Sequence, residues 1–247
     1  MIIGLSGYIG SGKDTVATIM QCIQAGNADD VVIEGVLSNY ATNQWWLEER
    51  SGWEIKKFAG KLKQIASILT GIPVEKFEDQ EFKKTFLSRE WDTIVPKPGR
   101  REDGIFGTGE KMIKQTTVRE LLQKLGTEAM RDGLHTNTWV NALFADYKLQ
   151  VGQYDGIAIR DSYPNWLITD VRFPNEAQAI KDRGGIVIRV NRPSKFTGDL
   201  SVALHPSETS LDNWEFDVNL ENDSNIWDLI RKVKVLTPLL LTNNVKS

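Results

Sequence analysis

Gly7-Tyr8-Ile9-Gly10-Ser11-Gly12-Lys13-Asp14-Thr15 follows the short apolar run Met1-Ile2-Ile3-Gly4-Leu5 and precedes residues with helical periodicity. Strand, glycine-rich turn, helix: in that setting the spacing Gly-x4-Gly-Lys makes a phosphate-binding loop. Its glycines let successive backbone N–H groups curl around a polyphosphate, the following helix turns its positive end toward it, and Lys13 reaches the β- and γ-phosphates. The competing reading, a turn that only joins a strand to a helix, is set aside because spacing and context coincide. One residue is off pattern. Asp14 stands where a Ser or Thr hydroxyl would usually sit on Mg²⁺, and Thr15 comes one place later. The loop says that a nucleoside triphosphate binds, not what is done with it.

The chain has 247 residues, 40% hydrophobic and 26% charged, enough for one large α/β domain with a substantial core and insertions. Its net charge of −3 supplies no basic field for nucleic acid, and the Lys97–Arg101 run KPGRR reads as a solvated loop. A single cysteine, Cys22, allows no disulfide framework, and with only His135 and His205 beside it a zinc site is not expected. A reducing cytosol is the expected compartment. The N-terminus enters the first strand at once, which leaves no room for a secretory signal, and no run of about 18 apolar residues suggests a membrane span.

Val16, Ile19, Met20 and Ile23 recur at helical spacing after the loop, and Gly26-Asn27 supplies a stop. The stretch 28–52 is weakly patterned and reads as irregular or partly helical. A short strand is expected over 54–59 and a helix through Leu62, Ile65, Ala66 and Leu69. Residues 80–115, with prolines and glycines among charges, read as mostly loop, of the kind that forms lids or binding segments. Thr116 or Thr117 can cap a helix carrying Val118, Leu121, Leu122, Leu125 and Ala129, and another helix is expected over 138–148. Strands at 166–169, 185–190 and 218–220 and helices from about Asn175 and through Ile226, Leu229, Ile230 and Val233 complete the pattern. This alternation predicts an α/β P-loop NTPase fold: three layers, a mostly parallel sheet flanked by helices, in one domain over 1–247 with insertions at 27–53 and 80–115. Ligands should lie at the carboxyl ends of the strands.

Asp170 and Arg172 fall there. An acid so placed can hold Mg²⁺ or a sugar hydroxyl, and an arginine offers a planar fork to a phosphate; a surface ion pair closing the turn is the alternative. Glu176, near the next helix start, can equally be a carboxylate favoured by the helix dipole. Phosphoryl transfer between two anions needs cations beyond the loop lysine, and Lys63, Arg119 and Arg131 are candidates, each weighed against an ordinary solvated charge. Trp139 fits either a core position or a base-stacking surface. His205, in the polar loop His205-Pro206-Ser207-Glu208, has no partners for a nucleophilic triad.

GSGKDT at 10–15, FAGKLK at 58–63, VRELLQKLGTEAMRD at 118–132, ITDVRFPNEAQAI at 168–180 and HPSE at 205–208 together resemble the phage deoxynucleoside monophosphate kinase family. These P-loop enzymes phosphorylate deoxynucleotides with ATP, and the GKD form of the loop is usual among them. The resemblance implies that Gly10, Ser11, Gly12, Lys13, Asp14 and Thr15 hold the ATP phosphates and their metal, with Asp14 in the Mg²⁺ shell directly or through water. It implies that Lys63, Arg119, Gly126, Thr127, Trp139, Asp170, Arg172 and Glu176 line the site for the deoxynucleotide (dNMP). Arg192 and the segment 221–225 are similar to the region near the adenine of ATP. The stretch 27–53 aligns weakly and 80–115 not at all, and base preference rests with the latter.

The expected reaction is transfer of the γ-phosphoryl group of ATP to a dNMP, with Lys13, Arg131 and Arg172 as the catalytic cations. Because the acceptor is already an anionic oxygen at neutral pH, alignment and charge stabilisation suffice without a strong base. The expected partners are ATP, Mg²⁺ and dNMP, without nucleic acid or membrane. A homodimer is expected, dimers being common among soluble enzymes. The alternatives are a P-loop kinase of another small phosphorylated metabolite, such as dephospho-coenzyme A, and a regulatory module that binds ATP and transfers nothing.

Overall fold

The computed structural model describes residues 1–26, 29–97, 110–154, 157–193 and 209–243. In chain order the elements are β1 (Ile2–Ser6), α1 (Lys13–Gln24), α2 (Asp30–Ser38), α3 (Tyr40–Ser51), β2 (Trp53–Lys56), α4 (Phe58–Thr70), β3 (Thr93–Pro96) and β4 (Lys111–Lys114). They continue with α5 (Val118–Gln123), α6 (Thr138–Phe144), β5 (Gln150–Tyr154), β6 (Ile157–Ser162), β7 (Asn165–Val171), α7 (Pro174–Lys181), β8 (Ile186–Asn191), β9 (Val218–Glu221) and α8 (Ile226–Asn243). The chain divides into two compact units, one of 1–58 with 140–247 and the other of 59–139.

The larger unit is built on a five-stranded sheet in the order β2-β7-β1-β8-β9, every pairing parallel. The fold class expected from the alternation of elements is the one observed. All five residues of β1 are buried, as an apolar strand covered on both faces must be. On one face Ile3, Leu5, Leu167, Ile188 and Val190 meet Val16, Ile19 and Met20 of α1, Ile33 of α2, Leu47 of α3 and Leu229, Ile230 and Val233 of α8. On the other, α7 packs on β1 and β8 through Ala177 and Ile180. Each fully buried Leu, Ile or Val contributes about 1.5–3 kcal/mol. That burial stabilises the short helices more than their propensities do.

Several elements differ from the sequence reading. The weak stretch 28–52 is two helices, because Asp29 Oδ1 accepts from Val31 and Val32 N–H (2.8 and 3.2 Å) to cap α2, and Gly52 closes α3. The expected strand 54–59 stops at Lys56, and α4 begins at Phe58, whose N–H is held by Asp170. The helix expected to reach 148 ends at Phe144, β7 runs 165–171, and α8 continues to Asn243. Within 80–115, described as far as 97 and again from 110, a strand pair that the loop reading did not include is present: β3 pairs antiparallel with β4. Ile94 and Ile113, opposite one another in it, are both exposed, so no buried face marked these strands in the sequence. The hairpin of β5 and β6 was likewise unforeseen.

In the smaller unit Ala66, Phe77, Leu87, Val118, Leu121 and Leu125 form a core of their own. Thr117, one of the two expected caps, starts α5: its Oγ1 accepts from Glu120 N–H (3.1 Å) and Glu120 Oε2 accepts from Thr117 N–H (2.9 Å). This reciprocal pair satisfies two end amides at once. After α5 the chain widens to a π-helix over Lys124–Asp132, which the apolar spacing through Ala129 did not reveal. The Thr117 N–H, with help from Lys114, holds the Glu120 carboxyl below its ordinary range. A group depressed on folding stabilises above its unfolded pKa and loses that contribution as pH falls through the folded value. Thr117→Ala should therefore cost about 1 kcal/mol at pH 7 by urea unfolding. The difference between wild type and Glu120→Ala should shrink as the medium is taken below about pH 4, near the ordinary glutamate pKa.

Candidate active site

Strand β1 has β7 on one side and β8 on the other, so the chain leaves its carboxyl end where the strand order turns in opposite directions, the place where open α/β sheets bind ligands. Gly7, Gly10 and Gly12 all have positive φ there (151°, 78° and 96°). A Cβ on Gly7 would stand 2.4 Å from the Val190 carbonyl oxygen, and one on Gly12 would stand 2.7 Å from Asn222 Nδ2. Gly7 excludes a side chain by φ and by backbone contact, and Gly12 by φ, with the Asn222 amide crowding the same place. Lys13 Nζ donates to the carbonyls of Gly7 (2.7 Å) and Tyr8 (2.9 Å), closing the loop on itself. Gly12 caps α1 with no side chain, and the buried Ser11 Oγ has no hydrogen-bond partner. First-turn amides without a side-chain cap, an orphaned hydroxyl and a loop open only to glycine form a donor set that fits a polyphosphate.

Asp14 follows in the first turn of α1, and its Oδ1 accepts from Thr169 Oγ1 (2.7 Å) and pairs with Lys57 Nζ (3.1 Å). Partial desolvation pushes its pKa up, but Lys57, the Thr169 hydroxyl and Lys13 outweigh it and the net direction is down. The side chain is 66% exposed, so water screens the pair with Lys57, and its consequence is an ionised carboxylate rather than a stability gain. Among the described residues no group of three His, Cys, Asp or Glu is placed to hold a metal. An ionised carboxylate beside a loop that fits a polyphosphate nevertheless suits Mg²⁺, which keeps waters and takes one or two carboxylates with substrate phosphates. Thr15 is half-buried one residue on.

Asp170 and Arg172 do stand at the carboxyl end of β7. Asp170 Oδ1 accepts from Phe58 N–H (2.7 Å), so it also anchors the start of α4. Glu176 is buried, and its Oε2 accepts from the N–H groups of Arg172 (2.8 Å) and Phe173 (3.1 Å). It caps α7 and holds the backbone that presents Arg172. Arg172 is half-buried, and Arg192, just past β8, is exposed.

The other expected residues belong to the smaller unit. Lys63 is buried and donates to Glu78 Oε1 (2.5 Å), while Arg119 donates to Gln80 Oε1 (3.3 Å). Gly126 and Thr127 lie in the π-helical turn with the half-buried Arg131. Trp139 is buried and its indole N–H donates to the Gly126 carbonyl (2.8 Å), a bond within the smaller unit. The segment His205–Glu208 and the basic run beyond Lys97 lie outside the described residues.

Four side chains around the loop, Thr169, Lys57, Arg189 and Asp212, were not anticipated, and Asn222 falls in the segment 221–225 that was expected near the adenine of ATP. Thr169 and Lys57 hold Asp14, and their only sequence signal is position at or just beyond the carboxyl ends of β7 and β2. Arg189 of β8 has an almost fully buried side chain (8% exposed), pairs with Asp212 (3.2 Å) and stacks on the Tyr8 ring (4.7 Å). Tyr8 O–H donates to the same carboxylate (2.8 Å), which with burial raises the phenol pKa. Asn222, at the end of β9, donates through Nδ2 to the Ser11 carbonyl (2.9 Å).

Residues 80–233 match the family model described as deoxynucleotide monophosphate kinase. The chain belongs to that family. Among individual relatives, it is 27% identical over 242 residues to a putative deoxynucleotide monophosphate kinase of Acanthamoeba polyphaga mimivirus, covering 94% of each chain. It is 26% identical over 242 residues to the deoxynucleoside-5'-monophosphate kinase of Escherichia phage T5, covering 85% of each. The deoxynucleotide monophosphate kinase of Enterobacteria phage T4 is 28% identical over 120 residues, 49% of this chain and 45% of the relative. Membership of a deoxynucleotide monophosphate kinase family implies nucleotide substrates, and a glycine loop with uncapped helix amides at the centre of the sheet suits them. Among the described residues no helix is long and apolar enough to cross a membrane.

The Arg189–Asp212 pair is unequal, since the carboxylate is 38% exposed and the guanidinium is not. Asp212→Ala strands a buried cation and should cost about 2 kcal/mol or more, whereas Arg189→Met leaves a wetted carboxylate and should cost about 1 kcal/mol. Thermal unfolding of the two variants checks the order.

Proposed function

We propose that the protein transfers the γ-phosphoryl group of ATP to the phosphate of a deoxynucleoside 5'-monophosphate, giving the diphosphate. The observation that carries the reading is the loop Gly7–Thr15, with its uncapped helix amides and Lys13, in a chain of the deoxynucleotide monophosphate kinase family. Gly10, Ser11, Gly12, Lys13 and Thr15 bind the ATP phosphates, and Arg192 lies toward the adenine. Asp14 holds Mg²⁺ directly or through water, and when bound the ion supplies positive charge to the β- and γ-phosphates. Asp14 is suited to that part because Lys57 and Thr169 keep it ionised and oriented.

Arg119, Arg131 and Arg172 hold the acceptor phosphate and neutralise the transferring group. Lys63, Gly126, Thr127, Trp139, Asp170 and Glu176 bind the rest of the deoxynucleotide. Of these, Glu176 also fixes the backbone of Arg172, and Trp139 also fixes Gly126. No side chain needs to remove a proton, because the attacking phosphate oxygen is already anionic at neutral pH. The chain's work is to align two anions and to keep water from competing as acceptor. The same proposal takes 1–247 as one kinase domain in which 27–53 and 80–115 are insertions, the latter setting base preference, and takes the protein to be a cytoplasmic homodimer without nucleic-acid or membrane partners. Family membership does not favour a kinase of another metabolite or a silent ATP-binding module.

Lys13→Ala and Arg172→Ala should each lower ADP formation, followed with the four dNMPs in turn, by about a hundredfold or more, the scale for removing a group that stabilises transferring charge. Unchanged turnover in both sinks the assignment. Asp14→Ser should also be strongly impaired, and extra Mg²⁺ should restore part of its activity; indifference to the substitution reduces Asp14 to a helix-start residue.

A further inference from the structure

We infer that Asn222, outside the phosphate-loop motif and more than two hundred residues from it in sequence, is a positioning residue of that loop. Its amide sets the plane of the Ser11–Gly12 peptide. The inference deepens the function proposed above and rests on the loop holding the phosphates of ATP.

Asn222 is buried, and its Nδ2 donates to the Ser11 carbonyl at 2.9 Å. The Ser11 carbonyl and the Gly12 N–H belong to one rigid peptide plane and point in opposite directions. Holding the oxygen on the Asn222 side therefore aims the Gly12 N–H the other way. A peptide flanked by glycine in a left-handed conformation has little intrinsic preference for either face, so an external bond is needed to choose one. The same amide nitrogen lies 2.7 Å from where a Gly12 Cβ would stand, so contact as well as φ reserves position 12 for glycine.

Asn222 is itself held rigidly. Its backbone N–H donates to the Asn191 carbonyl at the end of β8 (2.6 Å). On either side of it, Lys232 of α8 donates to the Glu221 carbonyl (3.0 Å) and to Asp223 Oδ1 (2.6 Å). Asn191 Nδ2 also bonds Glu221 Oε1 (2.8 Å). The loop peptide is thus referenced to β8, β9 and α8, elements that do not contain it. A residue there needs a donor on a short stem. Aspartate keeps the size and lacks the donor; alanine lacks both.

The test compares full-length wild type with Asn222→Ala and Asn222→Asp, measuring KM for ATP, KM for dNMP, kcat, ATP binding in the absence of dNMP, and thermal midpoint. A lost hydrogen bond that orients a phosphate-binding amide should raise KM for ATP about fivefold to tenfold in Asn222→Ala. Asn222→Asp, which adds a negative charge beside the anion site, should raise it further. KM for dNMP should stay within about twofold, the size of change that a loop-specific effect leaves in the other substrate. An ATP-selective rise in folded protein supports the inference, because a merely structural residue lowers the active fraction without separating the two KM values. Unchanged KM for ATP in both variants overturns it. So do parallel changes in both KM values, or the failure of both variants to fold, which make Asn222 a scaffold residue. If wild type binds ATP but phosphorylates no dNMP, the proposed function falls, while the comparison of ATP binding still decides the part of Asn222.

Discussion

A strand that is apolar on both faces has to be covered twice, and in this protein that strand is β1. Its backbone pairs with β7 and β8, both parallel to it, and its two faces lie beneath α1 and α7. Once those pairings are made, little is left open about the turn that leaves β1. It emerges at the carboxyl edge, between the ends of two neighbouring strands, and must enter α1 at once. Glycines at 7, 10 and 12 are what that path demands, and the helix amides at its end are what an anion can use. The glycine loop is in this sense a consequence of the core.

The loop does not hold itself in shape. Lys13 closes it from within, but Thr169 reaches Asp14 from β7, Arg189 and Asp212 take up Tyr8, and Asn222 takes up the Ser11 carbonyl. Each comes from a neighbour of β1 in the sheet or from the segment leading to or from β9. A nine-residue motif of this kind is a description of the cradle and not of its supports. In the function proposed above these remote contacts would take a chemical part beyond stability, since preorganised dipoles stabilise developing charge only if they need not move.

The legibility of the chain followed the physics of each segment. Helices with a buried stripe, such as α1 and α8, announced themselves by period, and Thr117 with Glu120 announced the start of α5 by chemistry. The helices α2 and α3 were faint because each contributes few residues to the core, Ile33 and Leu47 among them. The strands β3 and β4 were invisible because Ile94 and Ile113 are exposed and no face alternates between core and water. Of the expected site residues, Asp170, Glu176, Lys63 and Trp139 all turned out to be bonded within the chain. The sequence pointed to them as residues lining a substrate site and did not show these partners, which lie far along the chain or depend on local turns that spacing does not fix.

The sequence by itself determined the local matters: a glycine loop of phosphate-binding spacing between strand and helix, the alternation that makes a parallel sheet, a helix cap at Thr117, and a combination of segments resembling one kinase family. These rest on neighbours along the chain, where spacing alone decides which groups meet. Only the tertiary structure decided that Lys57 and Thr169 keep Asp14 charged, that Glu176 carries the backbone of Arg172, and that Asn222 grips the loop. Those contacts join residues that strand order brings side by side. Strand order is settled by how the whole set of apolar faces is covered, which no short window of sequence contains.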